Sequence, residues 1–110
     1  MCWINGVCYA CEYSNLSTNN SNIWVIDPVN GDMILLGSAG VSLNGIAYDD
    51  VTDKIYGIGS WKSNNTWYSA LYEINKDNGF ATYIGSTDID NQLIIGIACD
   101  CKGNLYGIDL

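Results

Sequence analysis

Residues 45–49 read Gly-Ile-Ala-Tyr-Asp, and residues 96–100 read Gly-Ile-Ala-Cys-Asp, about 50 positions further along the chain. The agreement continues after each motif, because Ile-Tyr-Gly-Ile at 55–58 returns as Leu-Tyr-Gly-Ile at 105–108. Self-similarity at a fixed spacing indicates a structural repeat. The fold is therefore decided by a unit of about 50 residues.

Short apolar segments separated by turn residues fill this unit. Residues 26–37 recur at 74–85, and each copy carries an Asn-Gly pair, at Asn30-Gly31 and at Asn78-Gly79. Asn and Gly adopt positive φ at little steric cost, so we predict a two-residue hairpin turn at each pair. The predicted strands of one full unit span residues 45–49, 54–59, 71–75 and 81–85.

Four strands in a period of about 50 residues are typical of a β-propeller blade. Segments such as 23–26 and 93–95 are apolar on both strand faces, which suits a sheet that lies between two others. We predict an all-β fold of nine strands, with two four-stranded blade repeats and one extra strand. In the single unit 1–110, repeat 1 covers about 7–53, repeat 2 about 54–104, and a closing strand 105–110.

These motifs resemble those of NHL-type and related six-bladed propellers. The matching elements are the Gly-Ile-Ala-hydrophobic-Asp strand at 45–49 and 96–100, the Gly-Asn-hydrophobic-Tyr segment at 103–106, and the Ile-Asp-Pro-x-x-Gly hairpin at 26–31. The resemblance implies a closed ring of about six blades, whereas this chain holds about two. We therefore expect homo-oligomerisation to complete the ring, with a trimer preferred and a tetramer or a filament as alternatives.

The charge balance excludes several classes of function. Four Lys, with no Arg and no His, stand against 12 Asp and Glu, for a net charge of −8. Nucleic acid is excluded as a partner because no basic surface can form. Without His the commonest general base is missing, and no Gly-x-Ser-x-Gly motif is present, so no catalytic residue is assigned. Enzymatic activity is not expected.

The sequence also bears on location. No stretch approaches the roughly 20 apolar residues of a membrane span. The N-terminus lacks a basic segment followed by an apolar core, so no secretory leader is recognised. The sequence leaves the compartment open, with a location outside the cell or at its surface preferred.

All five cysteines lie near the two ends of the chain, at Cys2, Cys8, Cys11, Cys99 and Cys101. The ends of neighbouring copies meet in a head-to-tail ring, so we place these cysteines at the seam between copies, as thiols or disulfides. Two alternatives are buried small residues and a zinc site formed by Cys8, Cys11, Cys99 and Cys101.

Aromatic residues mark the candidate ligand site. The connection 60–69 carries Trp61, Trp67 and Tyr68 among polar residues, and the matching connection 12–22 carries Tyr13. Such side chains stack on sugar rings, and they are also common at protein interfaces. The sequence therefore predicts a carbohydrate site, with packing or subunit contact as the alternative.

Two acidic segments could hold calcium. Asp49, Asp50 and Asp53 follow one predicted strand, and Asp88, Asp90 and Asn91 precede another. Their oxygens are of the type that Ca²⁺ binds, although neither segment has the spacing of a known calcium loop. The alternative is a pair of solvated acidic turns.

Three functions are consistent with these observations. The first is a non-enzymatic binding or scaffold module that assembles into a ring and binds glycan through its aromatic residues. The second is a structural subunit of a ring or filament, in which aromatic residues and cysteines form contacts between copies. The third is a fragment of a larger secreted propeller enzyme whose catalytic residues lie elsewhere.

Overall fold

A computed structural model describes residues 1–13, 19–87 and 91–110. This part of the chain is all-β, as predicted, with ten strands in three antiparallel sheets and no helix. It accordingly contains no helical segment with the length and apolar character of a membrane span. The strands are β1 (Cys2–Ile4), β2 (Val7–Cys11), β3 (Asn22–Ile26), β4 (Met33–Ser38), β5 (Gly45–Asp49), β6 (Lys54–Ser63), β7 (Thr66–Ile74), β8 (Ala81–Ser86), β9 (Ile94–Cys99) and β10 (Leu105–Asp109).

Each sheet is a meander in which strands pair in chain order. The first sheet contains β1 to β4, the second β5 to β8, and the third β9 and β10. The repeat seen in the sequence is also a repeat of strand register. Ala47 pairs with Tyr56 in the second sheet, and Ala98 pairs with Tyr106 in the third.

The prediction of nine strands is wrong by one, because β1 precedes the first predicted strand. Asn5 (φ 49°) and Gly6 (φ 80°) form a two-residue turn that joins β1 to β2. Positive φ at both central residues is the type I′ geometry that favours Asn-Gly. The first sheet therefore has four strands of its own, and the third sheet supplies two strands where one extra strand was predicted.

The predicted two-residue turns at Asn30-Gly31 and Asn78-Gly79 are also wrong in length. The Gly31 amide donates to the Asp27 carbonyl at 2.8 Å, and the Gly79 amide donates to the Asn75 carbonyl at 2.8 Å. Each turn therefore spans five residues, and only its glycine takes positive φ, +78° and +76°. Because the Asp27 and Asn75 side chains also accept a backbone N–H two residues on, they stabilise this wider turn.

The sheets stack with their first strands side by side, since β5 contacts both β1 and β9. The main core lies between the first and second sheets and includes Ile4, Ile23, Ile46, Ile55 and Ile74. These strands alternate in side-chain direction, so each sheet can present a second apolar face. The second apolar face of the second sheet packs against the third sheet, and Ile58 is buried there.

Two buried serines tie each sheet to the next. Ser21 and Ser69 occupy the same position in the sequence repeat. Ser21 lies just before β3, and Ser69 lies within β7 because β7 begins earlier. The Ser21 hydroxyl accepts the Leu43 amide at 2.9 Å, on the connection into β5. The Ser69 hydroxyl accepts the Ile94 amide at 3.2 Å, at the start of β9. Both serines are almost completely removed from solvent.

We expect Ser69→Ala to lower the free energy of unfolding by about 1–3 kcal/mol, because the buried Ile94 amide would lose its acceptor. Urea denaturation of the variant and the wild type measures the difference. Ser63→Ala, at an exposed position of the same hairpin, should change the value by less than about 0.5 kcal/mol. Equal effects of the two substitutions would contradict a role for Ser69 in joining the sheets.

Candidate functional site

The aromatic segment 60–69 is a β-hairpin, where the sequence had predicted a connecting loop. β6 extends to Ser63 and β7 begins at Thr66, with Asn64 and Asn65 at positive φ between them. Thr, Trp and Tyr favour strands, and Asn tolerates the left-handed conformation of a two-residue turn. Trp61, Trp67 and Tyr68 therefore sit on rigid strands.

A cleft of about 570 Å³ opens between the first and second sheets. The connection 40–44 forms its floor, the β6–β7 hairpin forms one wall, and Tyr13 and Asn19 line the opposite side. Its lining residues in the described part of the chain are Tyr13, Asn19, 40–44, 59–62, Trp67 and Tyr72. Three of the four predicted aromatic residues thus lie around one space.

The fourth predicted residue, Tyr68, lies outside the lining and supports it. Its ring stacks on Trp61 with the centroids 5.8 Å apart and the planes inclined by 21°. Trp61 and Tyr68 are cross-strand partners in β6 and β7, which explains the contact. Stacked rings restrict each other's rotation, so Tyr68 holds the indole of Trp61 in place.

Close approach of the floor to the second sheet depends on Gly59. A Cβ atom at this position would overlap the Ser42 carbonyl oxygen. The floor is also held by Asn44, whose amide donates to the Ser60 hydroxyl at 3.0 Å and to the Ile94 carbonyl at 2.7 Å. The cleft is therefore built from backbone and side-chain contacts that do not require a ligand.

The lining offers exposed ring faces together with polar groups. Trp61 is 44% exposed, and the Lys62 ammonium lies 5.8 Å from the Trp67 ring centroid. Burial raises the pKa of Tyr72, so its hydroxyl keeps its proton at neutral pH and can donate. These are groups for stacking on a ring and for hydrogen bonding to hydroxyls.

The cleft differs in charge from the rest of this acidic protein. Its described lining residues include one lysine and no carboxylate, imidazole or thiol. Glu12, the sequence neighbour of Tyr13, is already engaged with the Asn22 amide at 2.8 Å and the Trp24 indole at 2.9 Å. The described groups can therefore bind a neutral or anionic polar molecule.

The cysteines are free thiols in several environments. Burial raises the pKa of Cys2 to about 11 and also raises the pKa of Cys11. Both side chains pack in or against the core between the first and second sheets. Cys8 is buried as well. This packing matches the alternative of buried small residues, and the seam role stays a prediction for all five cysteines.

The four cysteines of the zinc alternative belong to two different sheets or their turns. Cys8 and Cys11 are in β2, whereas Cys99 ends β9 and Cys101 follows it. No group of three or more metal-binding side chains occurs among the described residues. Burial is the main cause that raises the pKa of Cys99, so this thiol also stays protonated at neutral pH.

The acidic segment 49–53 uses its carboxylates to hold a turn. Asp49 accepts the Val51 amide at 2.9 Å and the Thr52 hydroxyl at 2.7 Å. Asp53 pairs with Lys76 at 2.6 Å. This geometry matches the alternative of an acidic turn, while Asp88 and Asp90 of the second calcium hypothesis lie outside the described residues.

Asp100 has the same role in the turn between β9 and β10. Its carboxylate accepts the Lys102 and Asn104 amides, both at 2.9 Å. These turn contacts depress carboxyl pKa values: the Thr52 hydroxyl lowers that of Asp49, Lys76 lowers that of Asp53, and the Asn104 amide lowers that of Asp100.

We expect the protein to lose stability in acid, because these carboxylates bind protons more weakly when folded than when unfolded. Their contribution is complete above the unfolded pKa of about 3.9 and is lost as the pH falls toward the lower folded values. Urea denaturation at pH 7 and pH 3 measures the loss. It should shrink in Asp100→Asn and persist in Asp77→Asn, an exposed turn control; equal losses in both variants would contradict the assignment.

Comparisons of the chain with family models, with curated proteins and with solved structures gave no match. The resemblance to NHL-type propellers therefore rests on the motifs at 26–31, 45–49, 96–100 and 103–106. The sequence analysis did not identify Ser21 and Ser69, although their shared position in the repeat could have indicated a structural role. It also missed Tyr72 and Lys62 as lining residues.

Proposed function

We propose that this protein is a non-enzymatic binding module of the β-propeller type, and that its cleft binds carbohydrate. The observation that carries this proposal is that Tyr13 and Trp61, from two separate parts of the chain, line one cleft together with Tyr72. Trp67 also borders the cleft, on the opposite face of the β6–β7 hairpin from Trp61. Aromatic faces are the natural partners of the apolar faces of sugar rings.

The size and rigidity of the cleft support a small ligand. Its volume of about 570 Å³ lies within the range of about 300–1,000 Å³ found for small-molecule sites. One wall is the β6–β7 hairpin, and the floor is fixed by Gly59 and Asn44. A ligand would therefore bind without ordering these parts of the chain, which reduces the entropic cost of binding.

The propeller part of the proposal is supported by the way the sheets are arranged. Each is a meander, their first strands lie side by side, and the same strand register recurs in the second and third sheets. Further sheets added with the same relation would continue the stack around an axis near β1, β5 and β9.

A second candidate function is that of a structural subunit of a ring or filament. The outward face of the first sheet favours it, because Trp3, Met33 and Leu35 are each 52% exposed. By the strand register these positions correspond to the face of the second sheet that the first sheet covers. Copies of the chain stacked head to tail would cover them, with a trimer as the preferred ring.

We expect a glycan array to identify a bound saccharide, and Trp61→Ala to weaken its binding. Loss of one aromatic stack of about 0.5–1.5 kcal/mol corresponds to a decrease of about twofold to tenfold in affinity. Isothermal titration calorimetry measures the change. Phe80→Ala, at a comparably exposed aromatic residue of the β7–β8 turn outside the cleft lining, is the matched control and should retain the affinity.

Two results would contradict the carbohydrate proposal. The first is an array on which no saccharide binds above background. The second is an equal loss of affinity in the Phe80 control, since Phe80 does not line the cleft.

We expect light scattering after size exclusion to give a mass close to three times 12.0 kDa. Leu35→Glu should convert the assembly to monomer, because it places a charge on the outward apolar face. Val29→Glu, at a highly exposed position of the β3–β4 turn, should leave the mass unchanged. A wild-type protein that is monomeric at all concentrations would refute the self-assembled ring.

A further inference from the structure

The chain contains four Asn-Gly pairs, and such pairs can undergo a chemical reaction of their own. The backbone nitrogen of the glycine attacks the side-chain carbonyl carbon of the asparagine, because glycine has no side chain to hinder the approach. Asparagine is accordingly among the thermally labile residues. The pairs are Asn5-Gly6, Asn30-Gly31, Asn44-Gly45 and Asn78-Gly79. Since all four consist of the same two residues, the structure decides which of them reacts in the folded protein.

The reaction places two requirements on the local structure. The glycine amide must lose its proton before it attacks, and the asparagine side chain must turn until its carbonyl carbon reaches the glycine nitrogen. A hydrogen bond from the glycine N–H opposes the first step, and a hydrogen bond to the asparagine side chain opposes the second, because each bond has to break. Pairs that are held by such bonds should therefore react slowly.

The pairs in the β3–β4 and β7–β8 turns are restrained in both ways. In each turn the glycine amide donates to a backbone carbonyl at 2.8 Å. The Asn30 side-chain oxygen accepts the Asp32 amide at 2.8 Å. The Asn78 side-chain oxygen accepts the Phe80 amide at 2.9 Å. Two hydrogen bonds must therefore break before either pair can react.

The pair Asn44-Gly45 is restrained by contacts between sheets. The Asn44 side-chain amide donates to the Ser60 hydroxyl at 3.0 Å and to the Ile94 carbonyl at 2.7 Å. A Cβ atom on Gly45 would come within 3.4 Å of the Gly96 Cα atom. The side chain is thus held by two hydrogen bonds, and the neighbouring strand leaves the backbone little room to rearrange.

The pair Asn5-Gly6 has none of these restraints. It forms the exposed two-residue turn between β1 and β2. Within residues 1–13, 19–87 and 91–110, no group forms a hydrogen bond with the Asn5 side chain or with the Gly6 amide. A Cβ atom on Gly6 would meet no described atom within 4 Å, so the turn has room to rearrange. Of the four pairs, this one meets both requirements of the reaction.

We propose that Asn5 is a modification site, which deamidates spontaneously and thereby loosens β1 from the first sheet. Hydroxide removes the Gly6 amide proton, and the nitrogen forms a bond to the Asn5 Cγ atom. The bond from Cγ to Nδ2 breaks, and Nδ2 takes a proton from water and leaves as ammonia. Water then opens the cyclic imide at either of its two carbonyls. Opening at Cγ gives aspartate, and opening at the backbone carbonyl gives isoaspartate.

Isoaspartate is the product that the β1–β2 turn cannot accommodate. It adds a methylene carbon to the main chain of a turn whose two residues have φ values of 49° and 80°, the type I′ geometry of a normal backbone. β1 has three residues and pairs only with β2 among the described strands. Its side chains Cys2 and Ile4 are buried in the core between the first and second sheets. Loss of the turn should therefore expose Cys2.

The experiment incubates the whole protein in mildly alkaline buffer, once folded and once in urea. Peptide mapping by mass spectrometry measures the conversion at each Asn-Gly pair. In the folded protein Asn5 should convert at least about tenfold faster than the other three asparagines, because two hydrogen bonds must break at each of those. In urea all four should convert at similar rates. The site does not involve the carbohydrate cleft, so no ligand is needed.

Two variants separate the modification from a general loss of the fold. Asn5→Gly removes the reactive amide, and Asn5→Asp adds the same charge to a normal main chain. Gly-Gly and Asp-Gly are both accepted by a type I′ turn. Labelling of Cys2 with a maleimide measures the release of β1. It should increase in wild-type protein after the incubation, and it should stay at the initial value in incubated Asn5→Gly and in freshly prepared Asn5→Asp.

Two results would overturn the proposal. The first is a folded protein in which Asn5 converts no faster than Asn30, Asn44 or Asn78, since its free turn would then have no effect. The second is an incubated protein that contains isoaspartate at position 5 but whose Cys2 is labelled no faster than in fresh protein, since β1 would then have stayed in place.

Discussion

A hydrogen bond from a backbone amide to a buried serine hydroxyl fixes the position of each sheet relative to the next. Ser21 adjoins the first sheet and Ser69 lies in the second. Their partners, Leu43 and Ile94, lie where the chain enters the next sheet. Apolar packing between sheets is not directional. The serine contacts supply the direction, because a displaced sheet would leave a buried amide without an acceptor.

The candidate carbohydrate cleft is a consequence of that fixed spacing. Its floor is the connection between the first and second sheets, which passes against Gly59 and is held by Asn44. The walls are formed by structures that project beyond the stacked sheets, with Trp61 and Trp67 on one of them. The packing that stabilises the fold and the geometry of the site therefore depend on the same contacts.

Much of this architecture follows from the repeat in the sequence, which predicts an all-β chain and the bounds of β2 and β5. It does not reveal β1, because Cys2–Ile4 is short and resembles no other segment. It misjudges the turns at Asn30 and Asn78, since side-chain capping by Asp27 and Asn75 competes with the tighter two-residue turn. The sequence did indicate the aromatic residues of the cleft, because they lie in two connections, 12–22 and 60–69, that correspond in the repeat. Their placement on strands depends on cross-strand pairing, which a single segment does not display.

The stacking of sheets in chain order also determines how the molecule loses structure. Each sheet touches only its neighbours, so stability is close to a sum of the stability of each sheet and of the interfaces between them. The second sheet shares in both interfaces, whereas the third has one interface and two strands. Thermal fluctuations should therefore release the third sheet first, and backbone amides in β9 and β10 should exchange with solvent while those of β6 and β7 remain protected. Unfolding would therefore begin at the third sheet, and the second sheet would be the last part to unfold.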